Sequence, residues 1–170
     1  MDFTGLILNT LADGTIARKL QGKLASEKVK AEVFDTQGMK ISHCIGCNHC
    51  FLKTPGVCAI KDDYEQILKK LAHSDMLWLL SDTHFGFINS KGKKVMDRVL
   101  PLLNMGLEFR EGEMRHTLRY GKLSVGLIYC GDGNQELLDF WCERASKNLG
   151  GKSLGAYSSE KIEEVKDEQS

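Results

Sequence analysis

Three apolar runs, FTGLILN at 3–9, MLWLLS at 76–81 and LSVGLIYC at 123–130, constrain the fold of this 170-residue chain more than any other feature. A strand with one wet face alternates apolar and polar residues. Runs without alternation belong to strands buried on both faces. Two further strands are predicted, VKAEVFDT at 29–36 and SLGAY at 153–157. The segments between them carry helical spacing. Ile16, Leu20 and Leu24 recur every four residues, and Tyr64, Ile67, Leu68 and Leu71 form one stripe behind the acidic start Asp62–Asp63. Val95, Met96 and Val99 share a face that Pro101 stops, and Leu137, Leu138, Trp141, Cys142, Ala145 and Leu149 share another that ends at Gly150. Strand and helix alternate throughout, which predicts an α/β fold: a five-stranded parallel sheet in the order 2-1-3-4-5, with helices on both faces. Such sheets bind ligands at the carboxyl ends of their strands, beside the switch in strand order.

One domain is expected over 1–158, followed by a charged tail, 159–170. The stretch NMGLEFREGEMRHTLRYGK, 104–122, is read as an insertion of mixed charge, either a solvated excursion or a lid or subunit contact. Lys+Arg and Asp+Glu both number 23, so no net field favours nucleic acid or an anionic membrane. The start lacks a basic leader, and no stretch approaches the roughly 20 apolar residues that span a bilayer. The expectation is a soluble cytoplasmic protein with no nucleic-acid or membrane partner.

CIGCNHCFLKTPGVC, 44–58, places four of the six cysteines within one loop, as Cys44-x2-Cys47-x2-Cys50-x7-Cys58. Four thiolates on one loop suit an iron–sulfur cluster, a zinc ion, two disulfides or free thiols. A reducing compartment disfavours the disulfides. Cysteines spaced by two wrap three corners of a cluster and a later one closes the fourth. Zinc takes one tetrahedral shell, often from two separated pairs, with His43 or His49 as substitutes. Cys130 and Cys142 sit on apolar elements and read as core residues.

Three loops follow strands at the edge where a ligand is expected. NTLADGT, 9–15, leads into a helix start, where amides and the dipole suit a phosphate. SDTHFGFINSKGKK, 81–94, offers His84, Phe85 and Phe87 to a planar ring, and CGDGNQ, 130–135, has glycines either side of Asp132 that admit close backbone approach.

Over about 3–158 the sequence resembles the flavodoxin-like NAD(P)H-dependent FMN reductases, and among them the iron–sulfur flavoproteins. The most specific part runs from Cys44 to Arg98, where the cysteine loop, the acidic helix start and the ring loop come in family order. The resemblance implies a three-layer flavodoxin-like sandwich that binds FMN and passes electrons from NAD(P)H or a ferredoxin-like donor to an acceptor, as a homodimer or homotetramer. It implies a [4Fe–4S] cluster on Cys44, Cys47, Cys50 and Cys58. It assigns Thr10, Leu11, Gly14 and Thr15 to the phosphate loop. Ser81, Thr83, His84, Phe85, Gly86 and Phe87 fall to the ring loop, and Gly131, Asp132 and Gly133 to the far side of the ring. His84 is the expected contact at the flavin edge. Three positions depart from the family pattern. The first loop is short and carries Asp13, which would repel a phosphate if it pointed inward. Asp82 stands where a proline is usual, and His84 where a larger aromatic is common. A flavin-free protein acting as a binding or assembly subunit is the alternative expectation.

Overall fold

A computed structural model describes residues 3–165. In chain order its elements are β1 (Thr4–Asn9), α1 (Thr15–Ser26), β2 (Lys30–Asp35), α2 (His49–Leu52), α3 (Tyr64–Leu71), β3 (Met76–His84), β4 (Phe87–Ile88), α4 (Ser90–Met96), β5 (Leu103–Arg110), β6 (Glu113–Leu118), β7 (Leu123–Cys130), α5 (Gln135–Asn148) and β8 (Gly150–Ser158). A 3-10 helix, Asp97–Leu102, continues α4, and another, Ser159–Glu164, closes the described chain.

The main sheet runs β2-β1-β3-β7-β8, all parallel, with β4 folded back antiparallel on the end of β3. This is the doubly wound order expected from the sequence, and its switch lies between β1 and β3. The apolar runs are buried on both faces for the reason their pattern gave. Leu6, Leu8, Leu77, Leu79 and Leu127 pack with α3, α4 and α5, while Ile7, Trp78, Leu80 and Ile128 pack with α1. Successive residues of one strand therefore enter different cores. Trp78 takes the space over β7: a Cβ on Gly126 would come within 2.5 Å of its ring, so that position admits no side chain.

Two stretches differ from the sequence reading. Residues 104–122 are not irregular. Most of them form the β5–β6 hairpin, which turns at Glu111–Gly112 with φ of 51° and 79°, the left-handed pair of a two-residue hairpin turn. Its inner side docks on the carboxyl end of α5, where helix carbonyls lack partners. Arg110 Nη2 donates to the carbonyls of Lys147 and Asn148 at 3.2 and 3.4 Å, and buried Arg115 bonds the side chains of Glu113 and Asn148. The second difference lies at 159–165. The helical turn there buries Ile162 and Val165 in the core that holds α1, so this part of the expected tail is packed. The rest of that tail lies outside the described residues.

Candidate functional site

The cysteine loop leaves β2 and returns into α3, and it is fastened where those two ends meet. Lys40 N and Ser42 N donate to Asp63 Oδ2 and Asp62 Oδ2 at 2.7 and 2.8 Å, and Asp62 Oδ1 accepts from Tyr64 N at 3.1 Å. Arg98 crosses beneath. Its Nη1 donates to Asp62 Oδ2 at 2.5 Å and to Ser42 O at 3.2 Å; its Nη2 reaches Cys58 Sγ at 3.5 Å and Ile60 O at 3.4 Å. The guanidinium also lies 4.7 Å from the centre of the buried Tyr64 ring, whose hydroxyl donates to Val95 O at 2.7 Å. Burial pushes the Asp62 carboxyl up, but the bonds from Arg98 and the backbone outweigh it and hold Asp62 below the usual carboxylate range. Asp62 therefore does not add a bare negative charge to the loop, since it is matched by Arg98.

Within this frame Cys44, Cys47, Cys50 and Cys58 line one small pocket, walled by Arg98, Leu100 and Pro101. None is in a disulfide. Among the described residues no three His, Cys, Asp or Glu side chains converge on a point that a single ion would occupy. Asn48 and Gly46, both at positive φ (54° and 64°), bend the loop between the thiols. Burial, and after it the neighbouring Cys58, pushes the Cys50 thiol up. As a donor set, four thiols lining one pocket, with an N–H aimed at one sulfur, have the chemistry that iron–sulfur sites use.

At the carboxyl edge of the sheet, the loops after β3 and β7 are clasped together. Asn134 N donates to Gly86 O at 2.9 Å, Gly86 pairs with Gly133, and Thr83 Oγ1 donates to Cys130 O at 2.9 Å. Phe85 projects from this edge, 98% exposed, with φ of 52° and its ring 4.7 Å from that of His84. A non-glycine residue held left-handed to present a bare ring is the kind of local strain that binding sites keep. Gly131, at φ 91°, and exposed Asp132 flank the same edge.

The loop after β1 is arranged differently. Thr10 is buried and its hydroxyl donates to Leu80 O at 2.7 Å, and Leu11 belongs to the core. The hydroxyl of Ser81, also buried, bonds Asp82 O at 2.8 Å. At the start of α1, Asp13 Oδ1 accepts from Thr15 N at 2.6 Å, which draws the Asp13 carboxyl below its usual range. Arg18 Nη2 reaches Thr15 Oγ1 at 3.4 Å. The ring loops thus offer an open apolar edge to a planar cofactor. The phosphate loop offers Thr15 N only when Asp13 leaves it.

No family model matches the chain. An iron–sulfur flavoprotein of Methanocaldococcus jannaschii is 35% identical over 95 residues, which make up 56% of this chain and 48% of the relative. A second from that organism is 26% identical over 140 residues, covering 78% and 66%. A third, from Archaeoglobus fulgidus, is 26% identical over 129 residues, covering 75% and 53%. Its relatives are iron–sulfur flavoproteins. The chain spans about half the length of the first and third of them. Solved structures share the fold. RosB, with bound 8-demethyl-8-formylriboflavin-5'-phosphate, superposes with a TM-score of 0.63 at 15% identity over 92% of this chain and 64% of RosB. An NAD(P)H:quinone oxidoreductase from Methanothermobacter marburgensis gives 0.55 at 12% identity, over 92% and 85%. No helix among the described residues is long and apolar enough to cross a membrane.

Sequence reasoning missed Arg98. The available signal was a charge three residues after Val95 on a helical face otherwise apolar, followed by Val99 and Pro101. A charge at a core-facing position needs a partner, and Asp62 was the acid already singled out.

Proposed function

We propose that the chain is a redox flavoprotein that passes electrons between FMN at the carboxyl edge of the sheet and a [4Fe–4S] cluster on Cys44, Cys47, Cys50 and Cys58. One observation carries the reading: four thiols line one pocket, and a buried arginine donates to one of them. Bound FMN supplies both hydride and single-electron chemistry, and so links a two-electron donor to a one-electron centre. The protein's part is to bind, orient and tune. Phe85 and His84 would take the face and edge of the ring, with the backbone at Gly131, Asp132 and Gly133 on its other side. Gly14 and Thr15, at the start of α1, would take the phosphate once Asp13 turns away. Cys58 would be the ligand whose sulfur accepts from Arg98. The donor is NAD(P)H or a ferredoxin-like protein, the setting a reducing cytoplasm, and the assembly a homodimer or homotetramer that covers the outer face of the β5–β6 hairpin.

The bond from Thr15 N to Asp13 favours a second reading, a flavin-free subunit that keeps only the cluster. One measurement separates the two. The absorbance of protein purified without oxygen and reconstituted with FMN, iron and sulfide is expected to show flavin bands over the broad visible absorption of a cluster. Cluster absorption without flavin supports the second reading. A preparation that stays colourless refutes both.

A further inference from the structure

A cavity of about 390 Å³ shares a wall with the cysteine pocket, made of Cys58, Ile60 and Arg98. None of its lining residues belongs to the ring loops; beyond the shared wall they come from α3 and the two residues after it, the end of the cysteine loop and Tyr120. That volume lies at the low end of small-molecule sites, and suits one or two rings. Val57, Leu68, Ala72 and the Tyr64 ring give it an apolar body. Tyr120 and His73, whose rings pack edge to face at 6.5 Å, add aromatic surface to its lining.

Its polar groups are unbalanced towards donors. Lys69 lies on the rim, and the one carboxylate there, Glu65, already sits between Lys69 at 3.0 Å and Lys61 at 3.9 Å. Beneath is Arg98, its side chain 1% exposed, whose Nε finds no hydrogen-bond acceptor among the described residues. The Arg98 charge is balanced by Asp62, but a buried guanidinium N–H left unpaired is unfavourable, and Arg98 lines the cavity, so an oxygen acceptor held there would satisfy it.

We propose that this cavity is a binding site for a one- or two-ring aromatic molecule carrying a carboxylate or comparable anionic oxygen, separate from the flavin edge. Only the shared wall stands between such a ligand and the sulfur of Cys58. The site rests on the chain's own geometry and not on the cluster.

The test uses the full chain, both metal-free and reconstituted, titrated with 2-naphthoate in a calorimeter, with iron measured on the same samples. Binding in the micromolar range is expected in the metal-free chain. Ala72→Trp, which fills the cavity from a half-buried position just after α3, should weaken it at least tenfold without moving the melting temperature. The uncharged analogue 2-naphthalenemethanol should bind several-fold more weakly than the acid. Leu68→Phe serves as the filling variant if Ala72→Trp does not fold. Absence of binding to wild type, or equal affinity in the folded filling variant, overturns the proposal. So does equal affinity for the acid and the alcohol. A chain that binds naphthoate but no iron leaves this site standing while the cluster reading falls.

Discussion

Arg98 Nη2 donates to Cys58 Sγ at 3.5 Å from a side chain that is 1% exposed. A cationic donor on a ligand sulfur favours the more negative, reduced state of a cluster, and so raises its potential. Arg98→Lys keeps the charge but loses the fork that reaches Asp62 and Cys58 together. It is expected to lower the one-electron potential by tens of millivolts, where 59 mV corresponds to about 1.4 kcal/mol. A redox titration followed by electron paramagnetic resonance reads the shift, and an unchanged potential removes Arg98 from the tuning of the centre.

The same arginine sets a pH dependence through Asp62. This carboxyl ionises more readily in the folded chain than in the unfolded one, where about 3.9 is usual. Its stabilisation is therefore complete above about pH 4 and is lost as pH falls through the lower folded value. Asp62→Asn leaves a buried guanidinium unmatched and should cost about 3–5 kcal/mol near neutrality. Urea midpoints of wild type and variant should draw closer as pH falls from 5 towards 2. A gap that stays constant to pH 2 would show that the pair does not titrate as described.

Much of the frame was legible because burial on both faces leaves a plain mark. Leu77 to Leu80 and Val125 to Ile128 lack polar interruption, and both runs became central strands. The hairpin was harder to see. Its strands alternate Met105, Leu107 and Phe109 outward and hold charged residues inward, so the usual sign of burial is inverted and the segment looked merely polar. The carboxyl edge was located by topology, but not the state of its side chains. Thr10 and Ser81 are hydroxyl residues next to a site, and nothing in their spacing says that both hydroxyls bond the backbone. Arg98 is 40 residues from Cys58, and only the packing of the 3-10 helix after α4 under the loop joins them.

The four thiols divide metal binding from folding. Cys44 and Cys47 are exposed, and the two hydrophobic cores close without any of the four. Cys47→Ser is expected to abolish iron and sulfide binding in anaerobic reconstitution while the melting temperature stays within a few degrees of the metal-free wild type. Retention of four irons in that variant would exclude Cys47 as a ligand.

Met105, Leu107 and Phe109 on β5, with Met114 opposite Phe109 on β6, expose one apolar face, at 52%, 60%, 73% and 62% of their surfaces. Contiguous apolar faces of this kind mark contact surfaces. Phe109→Lys should move the protein to a smaller species in light scattering over a range of concentrations, with its circular dichroism unchanged. A wild type that is monomeric at every concentration shows that the face is not a contact between copies.

In the proposed flavin site, Asp13 would compete with the FMN phosphate for the start of α1. The carboxylate accepts from Thr15 N at 2.6 Å, so a phosphate that uses this amide must displace it and then bear its charge nearby. Two like charges a few ångströms apart repel, and solvent and ions weaken that repulsion at an exposed position. Asp13→Asn removes the charge and keeps a side-chain oxygen able to cap the helix, so the stability of α1 should hardly change. FMN affinity should then rise by roughly tenfold, while riboflavin, which lacks the phosphate, should gain little. Flavin fluorescence quenching measures both. Equal effects on FMN and riboflavin would place the phosphate away from Thr15, and no binding of either flavin by wild type or variant would favour the flavin-free reading.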